Sequence, residues 1–344
     1  MSYQITINPS GHTFSAEAYE TLLEAALEAG FNLPYGCRNG TCGTCKGKVV
    51  EGSVDYGEYV ANTLTEEEKQ AGLALFCCAR PLTDLVIECR EVSADNTIKP
   101  RIMPARVQQM KQLSHDVMAL FLKLPSNERM QFMAGQYAEF ILKDGKRRAF
   151  SFANAPHDDD LLEMHLRLIP GGQFTHYVFS EMHEKAILRL EGPFGSFYLR
   201  EDSEKPIIFV AGGTGFAPIK GIIEYLNHHK SQRKMALYWG ALTKQDLYMQ
   251  DLPQKWQLEN PNFSFIPALS EALSTDNWQG RTGLVHQAVL ADHKDLSGFQ
   301  AYVCGAPAMV DIAHQTFQAQ GLPADEFFSD AFAYANPTLK SVMV

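Results

Sequence analysis

The stretch Cys37-Arg38-Asn39-Gly40-Thr41-Cys42-Gly43-Thr44-Cys45 constrains this chain more than any other. Its thiols stand at the spacing C-x4-C-x2-C, and a fourth lies downstream at Cys77, preferred over its neighbour Cys78. Three close thiolates and one distant one are the ligand set of a [2Fe-2S] cluster, because two sulfide-bridged irons need four thiolates converging from a wrapped loop and a separate segment. Gly36, Gly40 and Gly43 permit the turns of such a loop and let backbone N–H groups approach sulfur. Zinc is the competing reading. Zinc sites, however, favour two short-spaced pairs, whereas here three thiols fall within nine residues and the fourth lies thirty-two beyond Cys45.

A chain of 344 residues has room for two or three domains of about 100–200 residues each. It opens without a basic segment leading into an apolar run, and nowhere do eighteen uncharged apolar residues follow one another, so neither a signal peptide nor a membrane span is expected. Of seven cysteines, four are claimed by the cluster and Cys78, Cys89 and Cys304 remain, an odd set that points to a reducing cytoplasm. The net charge of −10 speaks against nucleic-acid binding, which usually shows as a basic patch. In residues 1–92 acidic side chains outnumber basic ones about two to one, which would steer a basic partner or simply solvate the surface.

Residues 3–8 alternate apolar and polar as a half-buried strand does, 13–18 return as a second strand after Gly11, and 20–29 read as a helix stopped by Gly30. A strand over 48–54 follows. Thr65-Glu66-Glu67-Glu68 opens a helix with a capping-box signature, 73–79 are expected to carry Cys77 on a strand, and 85–89 to close the sheet. A small mixed sheet with one main helix and an edge loop of thiols resembles the β-grasp domain of plant-type ferredoxins, and the match spans residues 1–95. Within Leu75-Phe76-Cys77-Cys78-Ala79-Arg80-Pro81 the resemblance implies Cys77, four residues before the proline, as the ligand, with Cys78 beside the cluster but not bound to it. The polar run 93–97, followed by Pro100 and Pro104, is a linker by composition.

From about 100 to 203, strands at 105–113, 117–124, 137–142, 148–153, 162–168 and 187–191, with one helix near 174–181, predict a small antiparallel barrel. Lys146-Arg147-Arg148-Ala149-Phe150-Ser151-Phe152 sets cations beside an aromatic and a hydroxyl, which suits a diphosphate and a planar ring, or equally an edge strand with solvated basic residues. Pro170-Gly171-Gly172-Gln173-Phe174-Thr175 opens a helix towards an anion. Together these stretches resemble the flavin domain of the ferredoxin-NADP reductase superfamily, in which an Arg-x-Tyr-Ser strand cradles FAD. The matching residues are Arg148-Ala149-Phe150-Ser151, the Gly171-Gly172 turn, and Glu191-Gly192-Pro193-Phe194-Gly195. The resemblance implies that Arg148 pairs with the FAD diphosphate, Phe150 packs on the isoalloxazine, Ser151 sits near its N5, and Gly172 and Thr175 complete the cradle. Phe150 stands where the family has tyrosine, which removes a hydroxyl and keeps the stacking face.

Residues 206–210 form a continuous apolar run of the kind buried in a parallel sheet, and Ala211-Gly212-Gly213-Thr214-Gly215-Phe216-Ala217-Pro218 leads from it into a helix over 219–227. Such a turn presents backbone amides to phosphate, though a tight turn without a ligand has the same form. Further buried strands at 235–240, 263–269 and 301–305, the last leading into a helix over 309–320, predict a doubly wound parallel sheet. The segment resembles the nicotinamide domain of the same superfamily through GGTGFAP, Tyr238-Trp239-Gly240, Asp246-Leu247-Tyr248 and Cys304-Gly305. That implies Gly213, Thr214 and Gly215 against the dinucleotide and Cys304 and Gly305 near the nicotinamide, with a small buried residue as the other reading of Cys304. Many relatives carry an arginine after Trp-Gly; here Gly240-Ala241-Leu242-Thr243-Lys244 stands instead, which favours NADH without excluding NADPH through Lys244. Phe332 is expected to cover the flavin, or else to pack in the core.

Segments 1–95, 100–203 and 204–344 thus resemble, end to end, the three-domain reductases of bacterial oxygenases and the CDP-6-deoxy-3,4-glucoseen reductase type. The resemblance implies an NAD(P)H-dependent enzyme whose FAD converts a hydride into single electrons for the cluster and then for a partner protein, an oxygenase component or a dehydrase. Ser151 and Cys304 are expected nearest the hydride transfer, and a monomer is expected of a transient donor. A redox sensor or scaffold using the same groups without sustained turnover is the alternative, which the intact GGTGFAP phrase disfavours.

Overall fold

The structure, a computed structural model, describes residues 1–91 and 98–333. The chain divides into two compact units, Met1–Ile98 together with the chain from Ala331, and Lys99–Asp330. The linker expected over 93–97 lies outside the described residues. Among those described, no helix is long and apolar enough to cross a membrane.

The first unit runs β1 (Ser2–Asn8), β2 (Thr13–Glu17), α1 (Leu22–Glu28), β3 (Lys46–Glu51), β4 (Val54–Asp55), α2 (Glu66–Gln70), β5 (Leu73–Leu75), β6 (Arg80–Pro81) and β7 (Leu85–Glu88). Period-two alternation turns Ile5, Ile7, Phe14 and Ala16 inward against Leu22, Leu23 and Ala26 of α1. α2 starts at the capping box expected at Thr65, whereas α1 starts at Leu22, two residues after the expected Glu20, because Thr21 caps it; Thr21 and Thr65 accept the N–H groups of Glu24 and Glu68, whose side chains accept in return. The sheet order is β2-β1-β7-β3-β5, with β4 and β6 forming a separate pair. Two expectations change. β7 does not close the sheet but lies at its centre, parallel to β1 and antiparallel to β3, since Leu85 and Ile87 are core residues whose strand is bonded on both sides. Cys77 is not on a strand, because β5 ends at Leu75 and the N–H groups of Cys78 and Ala79 both turn back to the Leu75 carbonyl.

In the second unit β8 (Arg101–Gln112), β9 (Val117–Lys123), β10 (Tyr137–Ile141), β11 (Arg147–Ser151), β12 (Leu162–Arg167), α3 (Gln173–Ser180) and β13 (Ile187–Phe194) come first. The strands are ordered β11-β10-β13-β8-β9-β12 with antiparallel pairing throughout, and a bridge from Phe152 to Met164 joins the outer two, closing the barrel. Val107, Leu120, Phe140, Phe152, Met164 and Leu190 fill it, and α3 lays Phe174 and Val178 on the same core.

Then follow β14 (Ile207–Gly212), α4 (Phe216–His228), β15 (Met235–Ala241), α5 (Asp251–Glu259), β16 (Phe263–Leu269), β17 (Arg281–Thr282), α6 (Val285–Asp292), β18 (Gln300–Gly305), α7 (Pro307–Ala319) and β19 (Phe327–Ala331). The sheet reads β17-β16-β15-β14-β18-β19, and β16, β15, β14 and β18 run parallel. The chain leaves β14 towards β15 and returns on its other side as β18. This places a topological switch point between the carboxyl ends of β14 and β18, where such sheets bind ligands. α4 begins three residues before the expected start: Pro218 falls in its first turn, where a missing N–H costs nothing, and a 3-10 turn over Gly213–Gly215 feeds straight into it.

Candidate functional site

Local backbone geometry assembles the four thiols. The N–H groups of Thr41 and Cys42 point at Cys37 Sγ, and that of Cys37 at Cys42 Sγ, each at 3.3 Å. Gly40 holds the loop at φ +71, and a Cβ there would meet Tyr59 Cβ at 2.6 Å and Cys78 Sγ at 2.8 Å, so no larger residue fits. The distant ligand is brought in by backbone bonds: Phe76 N–H donates to the Cys45 carbonyl (3.1 Å), while Leu22 and Leu23, at the open start of α1, donate to the carbonyls of Ala79 and Phe76. The turn carrying Cys77 is thereby clamped between the loop and the helix.

The thiols fall into two pairs, Cys37 with Cys42 and Cys45 with Cys77. Hydrogen bonding from Cys42 holds the Cys37 thiol down at about 6 against its burial, and Cys45, then Cys78, hold Cys77 down at about 4. The same pairings, with burial, push Cys42 and Cys45 up. A single tetrahedral Zn²⁺ with bonds of about 2.3 Å would draw all four sulfurs within about 3.8 Å of one another. Among the described residues no three of these sulfurs lie mutually within 4.8 Å. Two pairs suit two irons, so the donor set fits a [2Fe-2S] cluster. Cys78 Sγ, 3.6 Å from Cys77 Sγ, is pushed up first by that hydrogen bond and then by burial.

On the barrel, β11 sorts its basic residues by what they face. Arg147 is engaged with Glu139 (3.1 Å) and Glu191. Arg148 gives one N–H to the Arg147 carbonyl (2.7 Å) and, among the described residues, has no carboxylate in ion-pair reach, so its guanidinium is the one left for an anion. Ala149 is exposed, Phe150 is half-buried and tilted against Phe140 and Phe174, and Ser151 is buried at the strand's end opposite Tyr137. Gly171 and Gly172 form the turn into α3; a Cβ on Gly172 would meet Thr175 Oγ1 at 2.7 Å. The Thr175 hydroxyl accepts from Ile169 N–H and donates to the Gly172 carbonyl, each at 3.2 Å, so it builds the turn, and the start of α3 carries no side-chain cap on its first N–H groups. A guanidinium, a helix start and an aromatic on one barrel edge fit a flavin diphosphate and ring.

At the switch point the backbones nearly touch. A Cβ on Gly215 would lie 2.1 Å from the Cys304 carbonyl oxygen, and one on Gly305 3.0 Å from Gly212 Cα. Thr214 is buried between them in sequence, and Cys304 is wholly buried with its thiol pushed up by burial and then by the charge of Asp330. A neutral, enclosed thiol is a wall rather than an acid. Phe332 follows β19 directly and is half-buried.

Sequence reading missed the residues that join barrel to sheet. Arg167, paired with Asp116 at 2.9 Å, sets Nη1 2.8 Å from where a Cβ on Gly213 would stand. Lys220 reaches from α4 to Glu163 on β12, and a Cβ on Gly221 would come 2.8 Å from the Asn154 carbonyl, so α4 lies directly on the chain leaving β11. A lysine in an otherwise apolar helix face, Phe216 to Ile223, was the available signal.

A dinucleotide crevice beside a flavin-sized cradle, in a chain that also gathers four thiols, defines an electron-transfer oxidoreductase: a hydride carrier must be matched to a one-electron relay. Comparison with known proteins agrees part by part. The 2Fe-2S iron-sulfur cluster binding domain family matches residues 5–82, the oxidoreductase FAD-binding domain family 104–198 and the oxidoreductase NAD-binding domain family 209–315. The chain is 39% identical, over 96% of its length and 99% of the relative's, to CDP-6-deoxy-L-threo-D-glycero-4-hexulose-3-dehydrase reductase of Yersinia pestis. It is 38% identical, over 96% and 95%, to the reductase component of phenol 2-monooxygenase of a Pseudomonas species. The crystal structure of an Amycolatopsis cytochrome P450 reductase superposes with a TM-score of 0.79 at 34% identity, covering 97% of this chain and all of that one. The chain belongs to the ferredoxin reductase superfamily, in the form that carries 2Fe-2S, FAD-binding and NAD-binding domains in succession. It is an NAD(P)H-dependent oxidoreductase that passes electrons through FAD and a [2Fe-2S] cluster to a partner protein.

Proposed function

We propose that this chain is the reductase component of an oxygenase or of a dehydrase acting on a CDP-linked deoxyhexulose, with its cofactors divided over residues 1–95, 100–203 and 204–344. Relatives bearing those two kinds of name match it over nearly their whole length, which supports the reading. Cys37, Cys42, Cys45 and Cys77 hold the cluster. Arg148 takes the FAD diphosphate with the Gly171-Gly172 turn, which Thr175 shapes, while Ala149, Phe150 and Ser151 line the flavin. Gly213, Thr214 and Gly215 admit the dinucleotide, and Cys304 and Gly305 form the floor beneath the nicotinamide. When bound, the flavin accepts a hydride and releases electrons singly.

One observation carries the proposal. The helix that begins at the glycine turn lies on the chain leaving Ser151, so dinucleotide and flavin share one wall. Ser151 is placed to orient the flavin edge, and buried Cys304 excludes water behind the nicotinamide. Lys244 reaches the Asp276 carbonyl at 3.4 Å, and Ala241-Leu242-Thr243-Lys244 stands directly after Trp239-Gly240 without an arginine, which favours NADH. The odd remainder Cys78, Cys89 and Cys304 suits a reducing cytoplasm, and the donor acts as a monomer. An anaerobic absorbance spectrum titrated with NADH and, separately, NADPH tests this. Flavin bands over a broad iron-sulfur envelope, both bleached by stoichiometric NADH, are expected. A flavin spectrum without cluster absorbance after iron reconstitution would overturn the thiol assignment, and tighter response to NADPH would overturn the nucleotide preference.

A further inference from the structure

The flavin strand and the nicotinamide turn lie in different halves of the second unit, yet one buried polar chain ties them together. Lys220, on α4 and 5% exposed, gives its three protons to the Ala153 carbonyl (2.9 Å), Glu163 Oε2 (2.9 Å) and Glu224 Oε2 (3.0 Å). The other oxygen of Glu163 lies 2.8 Å from His165 Nε2, and His165 Nδ1 lies 3.0 Å from the Tyr248 hydroxyl. A carboxylate only accepts, so Nε2 carries the proton and Nδ1 accepts from tyrosine. Tyr248 stands edge-on to Trp239, with ring centroids 5.2 Å apart, and Trp239 Nε1 donates to the Gly213 carbonyl at 3.0 Å. From the backbone of Ala153, two residues past Ser151, to that of Gly213, every link is a hydrogen bond or a ring contact.

Burying charge is a poor way merely to glue two layers, since apolar residues of like size do so at lower desolvation cost. What hydrogen bonds add is direction and distance. Burial would raise the Glu163 carboxyl, but His165 and Lys220 hold it at about 2, and burial holds His165 neutral. Every proton of Lys220 thus has an acceptor, while burial raises the carboxyl of Glu224 at the far end of the chain against the pull of Lys220.

We propose that Glu224, Lys220, Glu163, His165 and Tyr248 form a positioning device for hydride transfer, which holds the Ser151 end of β11 and the Gly213–Gly215 turn at one fixed separation. The inference rests on the flavin and nicotinamide assignments above. Its members act through Ala153 and Gly213, not on the reacting atoms.

The test uses the full chain loaded with cluster and FAD. In anaerobic stopped flow, Tyr248→Phe, which removes one oxygen, lowers the limiting rate of flavin reduction by NADH about tenfold, and Lys220→Met about a hundredfold, as expected when reacting atoms shift by fractions of an ångström to 1 Å. FAD content and the NADH dissociation constant stay within about twofold in Tyr248→Phe, because the change misaligns rather than unbinds. Amide exchange at 152–154 and 213–216 rises in both variants. If Lys220→Met does not fold, Tyr248→Phe decides alone. An unchanged limiting rate with unchanged exchange, or lost FAD or NADH affinity at an unchanged limiting rate, overturns the proposal. Ser151→Ala in the same assay separates the two layers of argument. Normal reduction there with slowed Tyr248→Phe overturns the role given to the Ser151 hydroxyl and keeps the positioning device; the reverse pattern overturns the device alone.

Discussion

The thiol loop and the dinucleotide crevice are built in opposite ways. Around Cys37 the sulfur's donors come from Thr41 and Cys42, four and five residues on. Around the crevice, Lys220 meets Ala153 across 67 residues and His165 meets Tyr248 across 83. Three of the cluster thiols are set by local turns, and only Cys77 comes from farther along the chain, its turn held by backbone bonds to Cys45 and to the start of α1. A site closed across such separations exists only once barrel and sheet have docked, since the long chain between its parts must be ordered first. The metal site should therefore tolerate damage elsewhere, and the hydride site should not.

The sharpest way to break this contrast is Cys42→Ser. The iron-sulfur envelope should vanish from the spectrum, while FAD content and NADH-driven flavin reduction persist; simultaneous loss of flavin would show that the regions are not independent. Next comes Gly215→Ala, whose Cβ would fall 2.1 Å from the Cys304 carbonyl. Parting β14 from β18 should lower kcat/KM for NADH about a hundredfold with FAD and cluster retained, and steady-state kinetics with a one-electron dye would reveal a milder effect if the crevice adapts.

Smaller effects sharpen the comparison within the barrel. Arg148→Ala should weaken FAD binding about tenfold or more, the loss of a charge-assisted bond. Arg147→Ala, which takes the cation from buried Glu139 and from Glu191, should leave FAD affinity nearly unchanged and lower stability instead. Fluorescence titration of the apoprotein compares the two; equal losses would remove the distinction between them. Acid should act last and gradually. His165 has its pKa lowered by burial below 6.5, so the unfolded chain takes up its proton first, and stability falls as pH drops below about 6.5. Glu163, held at about 2, contributes stability above its unfolded value near 4.5 that is lost as pH falls towards 2. Thermal release of FAD should thus occur at progressively lower temperature from pH 7 to pH 4; a flat profile would remove these groups from the balance.

Much of this was legible in the order of residues. The cluster loop, the capping box at Thr65, the buried run into GGTGFAP and the alternation of the barrel strands each show within about ten positions, because periodicity and turn chemistry are local. The position of Cys77 was legible, but not its conformation. A strand was expected, yet backbone bonds to Cys45 and to the start of α1 bend it into a turn, and those partners lie more than thirty residues away. The central place of β7 was likewise invisible, since alternation tells which face is buried and not which neighbours pair.

Within the site, residue chemistry alone nominated Arg147 and Arg148 together and the family resemblance picked Arg148; the engagement of Arg147 with Glu139 and Glu191 is visible only in the fold. Lys220, Glu163 and His165 looked like ordinary polar residues until folding removed their water. By itself the sequence determined which groups can be held: thiolate spacing, glycine turns and an Arg-x-Phe-Ser strand are chemical inventories written in adjacent residues. Tertiary structure alone decided how those groups face one another, because relative orientation is set by contacts between segments whose separation along the chain carries no distance in space.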